Sequence, residues 1–299
     1  MEVTKQYDKK VIDINTHPYL FEDVCRTQEQ YQLVYDVTGL YHNGVASMPS
    51  TFARLDCAKI DLCVLSPLDL TTTKGTWMTT NEDVEALCKK YPERFLGFAS
   101  VDPHRPDAVE VLEKAFTEQK LLGVHLFPAL QEFSPDEACM TPIYETCLRH
   151  DKPILFDCGC SPYPGLLTKY AHPLLVEAAA MKYKKLRICL SRFGWPWSRE
   201  VCMLMLKCHN VYTDTSIVYF DDAPQMYHQM FMVDMGPKWL DRSLRHQVMF
   251  GSGDPGLEQI RMINAVRGLE LRDSTKELIL SRNALEFLGL EKDLRWTND

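Results

Sequence analysis

Long apolar runs are missing from this 299-residue chain, where nothing approaches the ~20 consecutive apolar residues of a membrane-spanning helix. No membrane partner is therefore expected. The polar start, MEVTKQYDKK, runs straight into a strand-like VIDI with neither an apolar leader nor a basic transit segment, so the protein is placed in the cytoplasm. Runs of Lys or Arg are missing as well. Against 33 Lys and Arg stand 41 Asp and Glu, a net charge of −8, and no stretch suits a phosphate backbone, so nucleic acid is not expected as a partner. The 14 Gly and 17 Pro gather into no linker, and residues 1–299 are read as one domain. Cysteine is plentiful, at eleven, but scattered from Cys25 to Cys208 without the density of a small disulfide scaffold; these read as free thiols.

What the chain does have is alternation. Short β-branched apolar runs recur at Val11 to Ile14, Leu62 to Leu65, Phe95 to Ser100, Gly123 to Leu126, Pro153 to Asp157, Arg187 to Leu190, Val211 to Asp214 and Gln247 to Gly251. Between them, helical periodicity marks Asn81 to Lys90, Pro106 to Gln119, Pro142 to His150, Pro173 to Lys182, Ser198 to Cys208 and Leu257 to Val266, and a helix pair is expected from Ser274 to Leu288. Eight strands separated by helices predict an α/β fold, a (β/α)8 TIM-like barrel. In such a barrel the chemistry sits at the carboxyl ends of the strands. That rule selects Asn15, His17, His125, Asp157, Cys158, Cys160, Arg192, Asp214 and Asp254.

The strand ends, read in order, resemble the amidohydrolase-related family, the branch of the amidohydrolase superfamily that includes non-oxidative aromatic decarboxylases and lactone hydrolases. IDINTH (Ile12 to His17) looks like the family's I-D-x-H-x-H. YPERFLGFASVDP (Tyr91 to Pro103) is similar to P-x-R-F-x-G-F-A-x-V-D-P, and GVHLFPALQEF (Gly123 to Phe133) to a G-V-K-L-H-P segment. PIYETC, KPILFDCG, ICLSRFGWPW, NVYTDTS, VMFGSGDP and SRNALEFLGL follow in the family's order. The resemblance implies a barrel of the amidohydrolase type over nearly the whole chain. It also implies a metal held by two His of the first strand, one His at the fifth, often one at the sixth, and an Asp at the eighth. Those positions here are Asn15, His17, Asp157, Arg192 and Gly253, so only His17 keeps the family's residue. The carboxylate of the eighth strand has moved one residue along to Asp254, which turns it to the other face unless the strand has already ended.

Arg192 cannot give up its proton and would sit where the family places a cation. The expectation is therefore a site without metal or other cofactor, with one divalent ion, zinc or manganese, as the alternative. In the metal-free reading Arg192 replaces the ion's charge and binds a substrate carboxylate with paired donors. His17 is the general acid or base, and Asp157 or Asp254 orients it or activates water. The competing reading makes Arg192 and Asp157 a buried pair that fills the hole left by a lost ion. Asn15 and His125 are assigned to substrate binding, His125 with a second reading as a satisfied core histidine. Trp195, Trp197, Trp77 and Tyr163 are candidates for the walls of a flat apolar pocket. Asp13 and Asp214 are read as orienting groups and Asp102 as a turn residue. Cys158 and Cys160 are read as small buried side chains, with Cys158 a nucleophile only if His17 reaches it. The Met-rich stretch from Tyr219 to Trp239 reads either as a lid or subunit interface or as helix core.

Three functions follow. The first is a hydrolase or lyase acting by hydrolysis or decarboxylation on a small, anionic, carboxylate-bearing substrate, as a homo-oligomer. The second is a catalytically silent subunit in a hetero-oligomer with an active paralogue. The third is a metal-dependent hydrolase with a site rebuilt from His17, Asp157 and Asp254.

Overall fold

The structure, a computed structural model, describes residues 10–40, 43–160, 163, 165–219 and 222–290. Among these residues ten strands form: β1 (Ile12–Thr16), β2 (Leu62–Leu65), β3 (Leu68–Leu70), β4 (Thr76–Thr79), β5 (Phe95–Gly97), β6 (Val124–Leu126), β7 (Ile154–Phe156), β8 (Ile188–Leu190), β9 (Val211–Asp214) and β10 (Val248–Met249). All but β3 and β4 lie where the apolar runs predict strands. Their residues are buried throughout apart from Leu96, as expected of parallel strands covered on both faces.

β1, β2 and β5 pair in parallel, and so do β10, β9, β8, β7 and β6. Main-chain hydrogen bonds join the two groups at both seams. At one, Ala99 N donates to Gly123 O at 2.8 Å and His125 N to Ala99 O at 2.8 Å. At the other, Ile14 N donates to Phe250 O at 2.9 Å, Gly253 N to Asn15 O at 2.9 Å and His17 N to Asp254 O at 2.8 Å. The eight parallel strands thus form a ring, the (β/α)8 arrangement expected from the alternation. Lower on the second seam the terminal helix takes over, and Phe250 N donates to Ile279 O at 2.8 Å, a carbonyl in the wide π turn Leu278–Arg282. That segment corrects one expectation: Asp273–Glu277, Leu278–Arg282 and Asn283–Leu288 follow one another without a break, one helical run in place of a pair.

Three apolar clusters organise the packing. Ile12, Ile14, Leu62, Val64, Leu155, Cys189, Tyr212 and Met249 fill the lower lumen, where Phe287 and Leu288 of the terminal helix stopper it. A larger cluster lies between the ring and its helices. A third, with Tyr19, Leu20, Val34, Leu68, Leu70, Met78 and Phe127, forms where the β3–β4 hairpin and the helix Gln28–Thr38 pack over the chain that leaves β1. The Met-rich stretch is helical from Ala223 to Asp234 and packs Tyr227, Met230 and Phe231 into the core; Phe220 and Asp221 lie outside the described residues.

Candidate active site

Side chains alternate along a strand, so a residue two places beyond a lumen-facing one shares its face. Ser66 follows Val64, Asp157 follows Leu155 and Asp214 follows Tyr212 in this way, which carries polar groups into the upper lumen. The register of β1 slips between Asp13 and Thr16, and such an irregularity re-aims the side chains beside it. Asn15 turns to the centre, donating from Nδ2 to Asp214 Oδ2 at 3.0 Å and to Ser216 Oγ at 3.2 Å. Asp214 also accepts from Arg192 N at 3.0 Å and Ser216 N at 2.9 Å. It therefore ties the ends of β1 and β9 to the turn after β8. Asp13 does similar work on the outer side of β1, accepting from Ser252 N at 2.9 Å and Gln259 Nε2 at 3.1 Å; burial pushes its pKa up to about 7 against these bonds.

The turn after β8 is strained. Arg192, Phe193 and Gly194 take φ values of 57°, 53° and 57°, the left-handed region that costs a non-glycine residue roughly 1–2 kcal/mol. The result is a guanidinium that is only 7% exposed and ion-paired with Asp157, itself 2% exposed. Burial discourages the charge on Arg192, but Asp157, Tyr163 and Asp214 together hold it and push its pKa up. Burial also raises Asp157, with Arg192 pulling the other way. The loop after β7 is fastened to the same turn. Gly159 has φ 81°, and a Cβ there would lie 2.4 Å from Trp195 O, so only glycine fits.

Rings stack beside the pair. His17 lies parallel to Tyr19 with centroids 4.9 Å apart, and His125 parallel to Phe127 at 4.1 Å; the two imidazoles are 5.5 Å apart. Burial, reinforced by the Arg192 charge, lowers His17 to about 3, while a hydrogen bond with the Ser66 backbone acts in the opposite direction. His125 Nδ1 meets Ser66 Oγ at 2.8 Å, and burial with His17 and Arg192 keeps it neutral too. Burial raises Tyr163 to about 12, with Asp157 adding to it, and it also raises Tyr19, which senses Tyr163, Asp157 and Arg192. Among the described residues, four buried atoms in this neighbourhood have no hydrogen-bond partner: Asn15 Oδ1, His17 Nδ1, Tyr19 OH and His125 Nε2. Each such atom costs about 1–3 kcal/mol when it is left dry.

The structure thus brings together Asn15, His17, His125, Asp157, Arg192 and Tyr163, and adds Tyr19, Ser66 and Phe127, which the reading of strand ends passed over. Ser66 was findable, since it directly follows β2. Asp254 faces another way. Its carboxylate lies 3.8 Å from Arg54, beside an outer cleft of about 780 Å³ bordered by Asn43, Cys57, Tyr219 and Glu258. Burial pushes it up to about 6, and the Arg54 charge pulls it back. His17 and Asp254 both border a void of about 20 Å³ at the inner end of that cleft, room for one water. Trp195 packs half-buried on the outer core, and Trp77 lies under the Arg105 guanidinium at 5.8 Å. Cys158 donates to Ala171 O, and burial keeps its thiol protonated, which removes it as a nucleophile.

The described residues of the upper lumen differ from the usual donor set of a divalent ion. Among the described residues, groups of three His, Cys, Asp or Glu side chains with converging donor atoms do not occur there. A guanidinium occupies the centre, and the Asp254 carboxylate is drawn toward Arg54.

Comparison with known proteins agrees with this architecture. A family model described as Amidohydrolase matches residues 66–290. Among solved structures, an uncharacterized TIM-barrel protein from Bordetella bronchiseptica is 20% identical, with 94% of this chain and 99% of that one aligned at a TM-score of 0.74. The 5-carboxyvanillate decarboxylase of Sphingomonas paucimobilis is 14% identical, with coverage of 95% and 100% and a TM-score of 0.64. That of Novosphingobium aromaticivorans, solved with manganese and 4-hydroxy-3-methoxy-5-nitrobenzoic acid, is 18% identical, with coverage of 96% and 97% and a TM-score of 0.62. At these identities the likeness establishes the fold.

Proposed function

The chain belongs to the amidohydrolase family, and from that premise we propose that it acts on a small, planar, carboxylate-bearing substrate, as a hydrolase or carboxy-lyase, without a metal in the barrel. One observation carries this reading: the buried Arg192–Asp157 pair set among four unpartnered polar atoms. A core kept only for stability gains nothing from such atoms, whereas a ligand with its own donors and acceptors satisfies them. Arg192 offers a fork to a carboxylate, and the parallel ring pairs offer a flat wall. Asp157 cancels the charge of Arg192, so an entering anion needs one more positive charge. His17 supplies it by taking up a proton, since its neutral Nδ1 carries a free lone pair.

In decarboxylation that proton passes from His17 to the carbon that loses CO₂. In hydrolysis the water is held in the void between His17 and Asp254, and that void is the observation that favours hydrolysis as the second reading.

The test is a thermal-shift screen with benzoate, hydroxybenzoates and carboxylated lactones, followed by assays for CO₂ release and for ring opening on the compounds that bind. Arg192→Ala should abolish binding, whereas His17→Ala should weaken it, most at low pH where the parent imidazole takes up its proton, and lower turnover. Binding and turnover unchanged in both variants would place the chemistry elsewhere. A silent subunit remains the rival for an inert protein. The exposed Leu174, Met181, Met203 and Leu206 on adjoining helical segments are its support, and the mass of the complex isolated from its source decides it.

A further inference from the structure

Outside the lumen, three side chains of different chemistry converge at the rim of the barrel. His104 lies on the loop that follows β5, and Glu137 and Cys139 lie on the loop between Gln131 and the helix Met140–Arg149. One donor atom from each falls within 4.8 Å of the other two, and Cys139 Sγ stands 3.8 Å from Glu137 Oε2. We propose that His104, Glu137 and Cys139 form a zinc site that pins these two loops together.

The chemistry of the donors selects the metal. An imidazole nitrogen, a carboxylate oxygen and a thiolate sulfur suit zinc, whereas magnesium, calcium and manganese prefer oxygen alone. Ligands around a tetrahedral zinc at roughly 2.0–2.3 Å lie about 3.3–3.8 Å from one another, so the sulfur–oxygen separation already matches and small side-chain rotations complete the set. His104 is exposed, so solvent supplies the fourth ligand.

Neighbouring bonds hold the donors in place, as metal sites require. Ser134 N donates to Glu137 Oε1 at 2.9 Å and leaves Oε2 to the site. His104 N donates to Asp102 Oδ1 at 3.0 Å, which fixes the backbone that carries the imidazole. The fully buried Asp102 adds negative charge nearby. The clipped loop starts just after Gln131, whose Nε2 donates to Asp69 O at 2.9 Å and Val101 O at 3.0 Å, so the site adds a second fastening to one the fold already has.

The experiment starts from the full chain stripped with a chelator and titrated with zinc chloride by calorimetry, and with cobalt chloride by absorption. One equivalent should bind, and cobalt should show a thiolate-to-metal charge-transfer band. Cys139→Ser should abolish that band, and His104→Ala, at an exposed position that the fold does not need, should weaken zinc by more than about tenfold. Both variants should melt with the stripped parent protein when no metal is added. Absence of stoichiometric binding overturns the proposal, and so does binding that neither variant changes. Because His104 and Cys139 lie outside the lumen, zinc that survives in the doubly substituted protein would instead count against the metal-free lumen.

Discussion

The two halves of the barrel lumen are built by the same strands, two residues apart, and they follow opposite rules. The lower half holds Ile14, Val64, Leu155, Tyr212 and Met249, closed by Phe287 and Leu288. The upper half places Ser66, Asp157 and Asp214 on the same faces one step later, and there, among the described residues, four buried polar atoms go unpaired beside an ion pair. The lower lumen is optimised for packing, while the upper one is poorly satisfied on its own. The difference is the ground for proposing the upper lumen as the functional site, because unsatisfied polarity survives in a core where something else completes it.

That contrast can be broken by substitution. Phe287→Ala, at the stopper, should cost about 3–5 kcal/mol in denaturant unfolding, the price of an apolar cavity. Asp157→Ala should cost a similar ~3–5 kcal/mol by stranding Arg192, but Asp157→Leu combined with Arg192→Met should return stability to the parent value or above it. A double variant as unstable as the single one would mean that the upper lumen is packed for stability after all.

Smaller effects sharpen the same contrast. His17 is neutral in the empty site, and an anion beside Arg192 favours its protonated form, so binding takes up a proton. The affinity for benzoate should therefore strengthen as pH falls from 8 to 5.5, by up to about tenfold per unit, read from titrations at each pH. A flat profile would separate His17 from the anion. Asp254 is raised from 3.8 to about 6, so the fold favours its protonated form: that contribution is full below 3.8 and is lost as pH rises through 6. Asp254→Asn should thus melt higher than the parent at pH 8, by on the order of 1 kcal/mol, with the gap closing toward pH 4. Least of all, Tyr19→Phe removes an unpartnered hydroxyl and should leave stability within about 1 kcal/mol in either direction.

Much of this was legible in the sequence. β-branched runs located all eight ring strands, and helical period placed Asn81 to Lys90 at both ends, where Thr80 and Asp83 form a capping box. The helices Gln28–Thr38 and Met48–Ala58 were passed over, although Thr27 with Gln30 forms a capping box and Ser47 caps the second. The β3–β4 hairpin carried no such signal: LDL is too short to show a period. Within the site, parity along the strands places Asp157 and Asp214 in the lumen, and motif order identifies Arg192. The direction of Asp254 depended on where β10 stops, at Met249, and on Gly253 with φ 77° beyond it. Tyr19 and Phe127 enter only through a tertiary cluster that joins chain segments more than 100 residues apart.

The seam between β1 and β10 also sets a schedule for biosynthesis. Asp13 binds the backbone of Ser252 across 239 residues of chain, so β1 waits for β10 before it has a neighbour on that side. At about 5–20 residues per second the wait is roughly ten to fifty seconds, during which β1 presents an open edge on a growing chain. Asn15 lies on that strand and His17 directly follows it, so the candidate site cannot close until β10 has left the ribosome.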